Sequence, residues 1–135
     1  MYFRSNALEA LDALLDKGAK VNSASKSSSR TPFHMAVQFG HKEIVQRLLK
    51  ERDLDIDAAD KHGMTALHLA TSCGFKEICD TLLENQANVA ATTAKAQTCL
   101  HLAAASGNIK VVLSIIQSGG YISQLFYEYS LNTKR

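Results

Sequence analysis

The sequence has no Trp and a single proline, Pro32, so it offers no proline-rich recognition segment. Cysteine is sparse: Cys73, Cys79 and Cys99 form no CxxC pair, and their odd number fits reduced thiols better than a disulfide framework. No run approaches the roughly 18 apolar residues of a membrane-spanning helix. No basic, apolar and small-residue series at the start reads as a secretion signal. An excess of one charge is missing too. Fifteen Lys+Arg against 13 Asp+Glu leave a net +2, too little to suggest a nucleic-acid or polybasic membrane protein. What remains is an ordinary globular balance, 46% hydrophobic and 21% charged, in a chain of 135 residues. That length suits one compact unit or one short repeat array. An intracellular, cytoplasmic setting is expected.

A repeat organises the chain. Thr31-Pro32-Phe33-His34-Met35-Ala36, Thr65-Ala66-Leu67-His68-Leu69-Ala70 and Thr98-Cys99-Leu100-His101-Leu102-Ala103 align, with the Thr recurring after 34 and then 33 residues. Gly40, Gly74 and Gly107 follow at the same offset. A second apolar block comes next: Ile44-Val45 with Leu48-Leu49, Ile78-Cys79 with Leu82-Leu83, Val111-Val112 with Ile115-Ile116. The same block occurs once before the first motif, as Ala10-Leu11 with Leu14-Leu15. Single-residue insertions fall near Arg52 and within Ser27-Ser28-Ser29.

Each unit reads as a short helix, a Gly turn, a longer helix and a hairpin-like loop. Thr31 followed by Pro32 is a hydroxyl N-cap and then a residue that needs no N–H in the first turn. Gly40, Gly74 and Gly107 can take positive φ and end that helix. Ile44/Leu48 and Val45/Leu49 are i, i+4 neighbours on one face of a second helix, and Glu43 and Glu77 sit in a first turn, where negative charge is favoured. The pattern predicts helices near 8–16, 31–39, 42–51, 65–72, 75–85, 98–106 and 109–118, essentially no sheet, and a core that includes Leu48, Leu49, Leu82 and Leu83. One such unit cannot bury its apolar face alone; stacking buries it.

These three motifs at this period resemble the ankyrin repeat, whose helix start reads T-P-L-H-x-A. The resemblance covers about Leu8 to Ile122. It implies an all-α ankyrin solenoid of stacked helix-turn-helix units, with hairpin-like loops projecting as fingers. The expected divisions are an outer-helix half repeat at 8–22, repeats at 23–57, 58–90 and 91–123, and a C-terminal cap or tail at 124–135. Within 1–7, Tyr2-Phe3-Arg4-Ser5-Asn6-Ala7 is similar to a common protease-cleavage linker with Arg in place of Gln, so these residues carry no functional argument. Tyr121, Ile122, Leu125, Phe126 and Tyr129 form an apolar stripe at helical spacing. It is expected to fold back as an irregular cap over Val112, Ile115 and Ile116, the rival being self-association. The family's finger usually carries an Asp and a Gly before the Thr, and only Asp60 and Gly63 match. Thr93 and Ala96 replace them in the last finger, and the first is Ser-rich. The fingers before Thr31 and Thr98 are therefore expected to be looser or differently shaped.

Several residues suggest chemistry that a structural role accounts for better. His34, His68 and His101 recur at repeat spacing, but zinc needs convergent ligands about 2 Å from the metal, and stacked elements sit near 10 Å apart. A buried imidazole bonded to backbone or to the Thr of its own turn is expected. Cys79 should pack in the core, Cys99 should be partly buried, and Cys73 should face the groove. Asp53, Asp55, Asp57 and Asp60 lack the EF-hand spacing and read as a solvated loop. Gly119-Gly120 has no Gly-Lys-Ser/Thr after it and is no phosphate loop. No catalytic residue, metal ligand or cofactor site is expected, and the chain is not read as an enzyme.

The family's variable positions select a candidate partner-binding set: Arg30, Gln38, Phe39, Lys61, His62, Met64, Ser72, Cys73, Lys95 and Gln97, flanked by Ser27, Ser28, Ala105 and Ser106. Arg30, Lys61 and Lys95 give one cation per finger, and Phe39 and Met64 are apolar anchors of a kind enriched at interfaces. The expected function is a protein–protein interaction module, monomeric, binding another protein through the concave groove. An acidic peptide segment with apolar anchors suits the groove best, and neither nucleic acid nor membrane is expected. The alternatives are a structural slice of a longer solenoid, or the targeting domain of a larger signalling protein or bacterial effector whose catalytic domain lies outside this chain.

Overall fold

The computed structural model describes residues 2–118, with side chains from residue 7 onward. The helices are α1 (Tyr2–Asp16), α2 (Pro32–Gln38), α3 (Lys42–Leu48), α4 (Ala66–Cys73), α5 (Lys76–Glu84), α6 (Cys99–Ser106) and α7 (Ile109–Ser118). No strand occurs among the described residues. The short helices α2, α4 and α6 pack side by side as an inner layer. The outer helices α1, α3, α5 and α7 pack in chain order behind them, each of α3, α5 and α7 against its own inner helix as well. The predicted stripe from Tyr121 to Tyr129 lies outside the described residues. α1 starts six residues earlier than the apolar pattern suggested, in a stretch that holds neither Gly nor Pro to break it.

Local chemistry fixes the helix ends. Thr31, Thr65 and Thr98 take extended backbone geometry as N-caps, and each hydroxyl accepts the N–H of the His three residues on. Gly40, Gly74 and Gly107 lie at φ of 71, 73 and 71° and close the inner helices as expected. The apolar faces then meet. Phe33, Val37, Val45, Leu48, Leu67, Leu82, Val111 and Ile115 are each at most 2% exposed. Leu49 and Leu83 depart from expectation: they are only half-buried, at the margin of this core. Cys99 departs in the other direction. It is fully buried rather than partly so, with its thiol 3.5 Å from the Val89 carbonyl.

The fingers between Asn22 and Thr98 are three related hairpin turns. Each is closed by one backbone bond across its base, Ser25 N–H to Arg30 O (2.9 Å), Asp60 N–H to Met64 O (3.0 Å) and Thr93 N–H to Gln97 O (2.9 Å). Each passes through one left-handed residue, Ser29 (φ 59°), Gly63 (74°) and Ala96 (61°). They also bond to one another, Lys61 N–H to Ser28 O and Ala94 N–H to His62 O. A Cβ at Gly63 would lie 2.7 Å from the Ala94 nitrogen, so the second and third tips pack backbone to backbone.

The third finger corrects the expectation that losing Asp and Gly would reshape it. In the second finger, Asp60 Oδ1 accepts the N–H groups of His62 and Met64 at 2.8 and 2.9 Å. In the third, the Thr93 hydroxyl accepts those of Lys95 and Gln97 at 3.2 and 3.3 Å. A neutral oxygen replaces the carboxylate, and Ala96 bears the left-handed strain that Gly would not.

Asp60 is itself buried. Burial pushes its carboxyl up, but the two N–H bonds and the Arg30 guanidinium outweigh this and hold it below the usual carboxylate value. A carboxyl with a lowered folded-state pKa contributes stability that is present above its unfolded value of about 3.9 and is lost as pH falls through the folded value.

Three outcomes follow for stability. In urea melts, Leu82→Ala should lose roughly 2–5 kcal/mol; a loss below about 0.5 kcal/mol would mean the stacking register is wrong. Ala96→Gly should gain about 0.5–1 kcal/mol, the relief of left-handed strain less the added chain entropy. Asp60→Asn should be clearly less stable than wild type at pH 7, and the gap should shrink as pH drops below about 4. An equal gap at pH 7 and pH 2.5 would show that the ionised carboxylate contributes nothing.

Candidate partner-binding site

The inner helices and the fingers carry the candidate residues, and the structure distributes them unevenly. Lys61 and His62 sit exposed at the second fingertip, Lys95 and Gln97 at the third, and Ser72 and Cys73 at the end of α4. Phe39, just past α2, is 61% exposed, with its ring centroid 6.3 Å from that of His41. Met64 is half-buried against the core, and its backbone rather than its side chain makes the polar contacts. Ser27, Ala105 and Ser106 are exposed, and Ser28 is half-buried.

Arg30 is not the free cation that its place in the finger suggested. Its Nε donates to Asp60 Oδ2 at 3.2 Å, and a second guanidinium N–H donates to the Gln38 amide oxygen. The Asp60 side chain is only 1% exposed, so this pair ties the first finger to the second and to α2. Lys61 and Lys95 therefore carry the exposed positive charge of the candidate set. The Arg30–Asp60 pair was not legible beforehand because its partners stand 30 residues apart.

Met35 is the residue the sequence pattern missed. It stands at the motif position of Leu69, which is 5% exposed, yet Met35 is 40% exposed. The repeat geometry explains the difference. Cys73 Sγ lies 3.9 Å from the Gln38 carbonyl, so the last position of an inner helix faces the helix before it. Among the described residues no inner helix precedes α2. Met35 and Phe39, i and i+4, therefore form an uncovered apolar pair at the edge of the inner layer; on the outer helix α1, Leu14 is also 58% exposed.

The remaining candidates for chemistry are occupied structurally. Nδ1 of each of His34, His68 and His101 accepts its Thr N–H at 3.0–3.1 Å. The ring proton is thus on Nε2, which donates to the Met64 carbonyl from His34 (2.9 Å) and to the Ala91 carbonyl from His68 (3.0 Å). Burial pushes the His68 pKa down, so it is neutral at physiological pH. Burial raises the thiol pKa of Cys79 to about 11 and of Cys99 to about 12, so both stay protonated and unreactive there. Asp55 and Asp57 serve the inter-repeat loops. Asn22 Oδ1 accepts the Asp55 N–H, and Asp57 Oδ1 accepts the Asn88 N–H, both at 2.8 Å. Ala90, at the corresponding place in the next loop, has no side-chain acceptor to continue this ladder. No group of three or more His, Cys, Asp or Glu side chains converges to hold a metal among the described residues, and none of the helices there is long and apolar enough to cross a membrane.

Comparison with known proteins agrees with this geometry. Residues 1–93 match the family model for ankyrin repeats in three copies, and residues 96–124 match the model for a single ankyrin repeat. The human Neurogenic locus notch homolog protein 2 is 33% identical over 116 residues, spanning 86% of this chain and 5% of that protein. Human Rabankyrin-5 is 37% identical over 109 residues, spanning 80% of this chain and 9% of its own. The chicken (Gallus gallus) Nuclear factor NF-kappa-B p105 subunit is 34% identical over 82 residues, or 61% of this chain and 8% of that one. The chain thus spans less than a tenth of the length of these relatives. With a repeated capping motif, two helical layers and family models that together reach from residue 1 to 124, the chain belongs to the ankyrin repeat family.

Proposed function

We propose that this chain is an intracellular protein-binding module whose concave face takes an extended or helical segment of another protein. Ankyrin repeats are generally non-catalytic protein–protein interaction modules. The observation that carries the finer reading is the exposed pair Met35 and Phe39, 40% and 61% exposed on an otherwise well-packed inner layer. Large apolar side chains held in place by a rigid helix are good anchors, because little entropy is lost when they are covered. Lys61 and Lys95, exposed on neighbouring fingers, add positive charge. His62, Ser72, Cys73 and Gln97 add exposed polar and soft groups, and Gln38 is committed to Arg30. A segment with acidic residues and one or two apolar anchors matches this face.

A second reading is favoured by the same uncovered edge. Leu14, Met35 and Phe39 would be buried if an inner helix of a longer solenoid packed beside α2, and this segment would then serve as a spacer. The relatives' much greater length is consistent with this, and with a targeting role beside domains outside this chain.

Fluorescein-labelled peptides containing runs of Glu, with and without a Phe or Leu anchor, distinguish the readings by stopped-flow anisotropy. On the binding reading, Lys61→Glu with Lys95→Glu should slow association several-fold and flatten its salt dependence. Phe39→Ala should raise the dissociation rate roughly tenfold, with little change in association. If both variants bind as the wild type does at every salt concentration, the concave face is not the site. If Phe39→Ala instead lowers the melting temperature of a longer parent protein without affecting any peptide, the spacer reading holds.

A further inference from the structure

The three fingers share one turn but are not held equally. Asp60 and Thr93 each brace their turns by accepting two tip N–H groups. Ser25 stands at the same place in the first finger, and its hydroxyl pairs with Ser27 Oγ at 3.1 Å instead. The one side-chain bond to a backbone N–H in that turn is from Arg30 to Ser28 Oγ, a long 3.4 Å. The turn is also one residue longer than the other two, and Ser27 and Ser29 are exposed. Ser25 thus braces none of the tip N–H groups, while Arg30 ties the end of the finger to Asp60 and Gln38; exposed serines on surface turns are those that modifying enzymes reach.

Its sequence is Lys26-Ser27-Ser28-Ser29-Arg30. A cation stands three residues before Ser29 and another directly after it. Enzymes that modify serine choose among exposed turns largely by such charge patterns. The surroundings also suit the product. The Lys61 N–H donates to the Ser28 carbonyl at 3.0 Å, which brings the second fingertip and its exposed lysine beside the residue preceding Ser29.

We propose that Ser29 is a phosphoacceptor for a basic-directed serine kinase, and that Lys61 and Arg30 then hold its phosphate. Ser29 Oγ attacks the γ-phosphorus of ATP. The Oγ–P bond forms as the bond from that phosphorus to the β,γ-bridging oxygen breaks. ADP leaves, and the hydroxyl proton passes to the catalytic base of the kinase. The product carries about −1.5 to −2 charges at neutral pH. It competes with Asp60 for Arg30 and neutralises Lys61. Resting on the groove reading above, this modification withdraws part of the positive charge that attracts an acidic segment and so weakens binding.

The test treats the full 135-residue chain with ATP and the catalytic domain of an Arg/Lys-directed serine kinase, followed by mass-spectrometric mapping. Near-stoichiometric phosphate at Ser29 is expected. It should be lost in Ser29→Ala, and kcat/KM should fall about tenfold in Lys26→Ala, with both variants melting as the wild type does. In a phosphorus NMR titration, the phosphate should ionise below its ordinary value of about 6 and return toward it in Lys61→Ala. No phosphate at Ser29, indifference to Lys26→Ala, or ordinary ionisation with Lys61 present would each overturn the proposal. The anchored Glu-rich peptide then reads the regulation. Binding at least about fivefold weaker to the phosphorylated chain supports it, and equal binding to both forms overturns it. A peptide that binds neither form defeats the groove reading alone, because the mapping and the titration use no peptide.

Discussion

One interaction recurs, and the rest of the structure is arranged around it: a Thr N-cap locked to the His three residues on. The Thr hydroxyl accepts the His N–H, and the His Nδ1 accepts the Thr N–H. This satisfies backbone groups that a buried helix start would otherwise leave unpaired. It also fixes the imidazole tautomer, so Nε2 must donate. His34 donates to a carbonyl in the second finger and His68 to one before the third. A local cap thereby becomes a bond between consecutive repeats. Burial of both rings at 1% exposure makes that bond hard to lose, since an unpaired imidazole nitrogen would be stranded away from water. For His68 the lowered pKa sets a direction for its acid response: stability is complete above its unfolded value of about 6.5 and declines as pH falls below it.

Because the caps fix where each finger leaves the core, the tips are free to differ. The second and third fingers keep one geometry with different chemistry, Asp60 and Gly63 in one, Thr93 and Ala96 in the other. This is why the sequence was misleading at the third finger. A missing carboxylate and a missing Gly look like a missing turn, but a hydroxyl can accept the same two N–H groups, and one alanine in the left-handed region costs only about 1–2 kcal/mol. That cost is small beside the burial of the repeats on either side. The longer first finger, with no Asp or Thr at its bracing position, did differ as its Ser-rich sequence implied.

The helices were legible because their signals are local: Thr then His at fixed spacing, Gly closing each inner helix, apolar pairs at i and i+4. The residues read less well were those whose state depends on another repeat. Leu49 and Leu83 share the helical pattern of Leu48 and Leu82, but their side of the outer helix lies at the margin of the core. Cys99 occupies the place of Pro32 in the first motif, where exposure would be ordinary, yet the Val89 loop covers it. Arg30 looked like a groove cation and is an ion-pair partner instead. Met35 stands at the motif position of the buried Leu69 and is exposed, because burial at that position requires a preceding inner helix as well as its own.

This dependence on neighbours bears directly on what the concave face can do. In a stacked array each repeat contacts mainly the next, so the polar side chains nearest the stacking planes are drawn into inter-repeat bonds. Lys42 pairs with Glu77 of the following repeat, and Arg30 with Asp60. A cation can stay uncommitted where it projects from a fingertip, and an apolar side chain can stay uncovered where the inner layer stops. Lys61 and Lys95 meet the first condition, Met35 and Phe39 the second. Recognition that uses both must span from the edge of α2 across the fingers, a path that favours a continuous segment over a small ligand. A phosphate on Ser29 would stand beside the first exposed lysine, since the Lys61 N–H bonds the Ser28 carbonyl, and one added group there would act on the encounter of an acidic partner with the fingers.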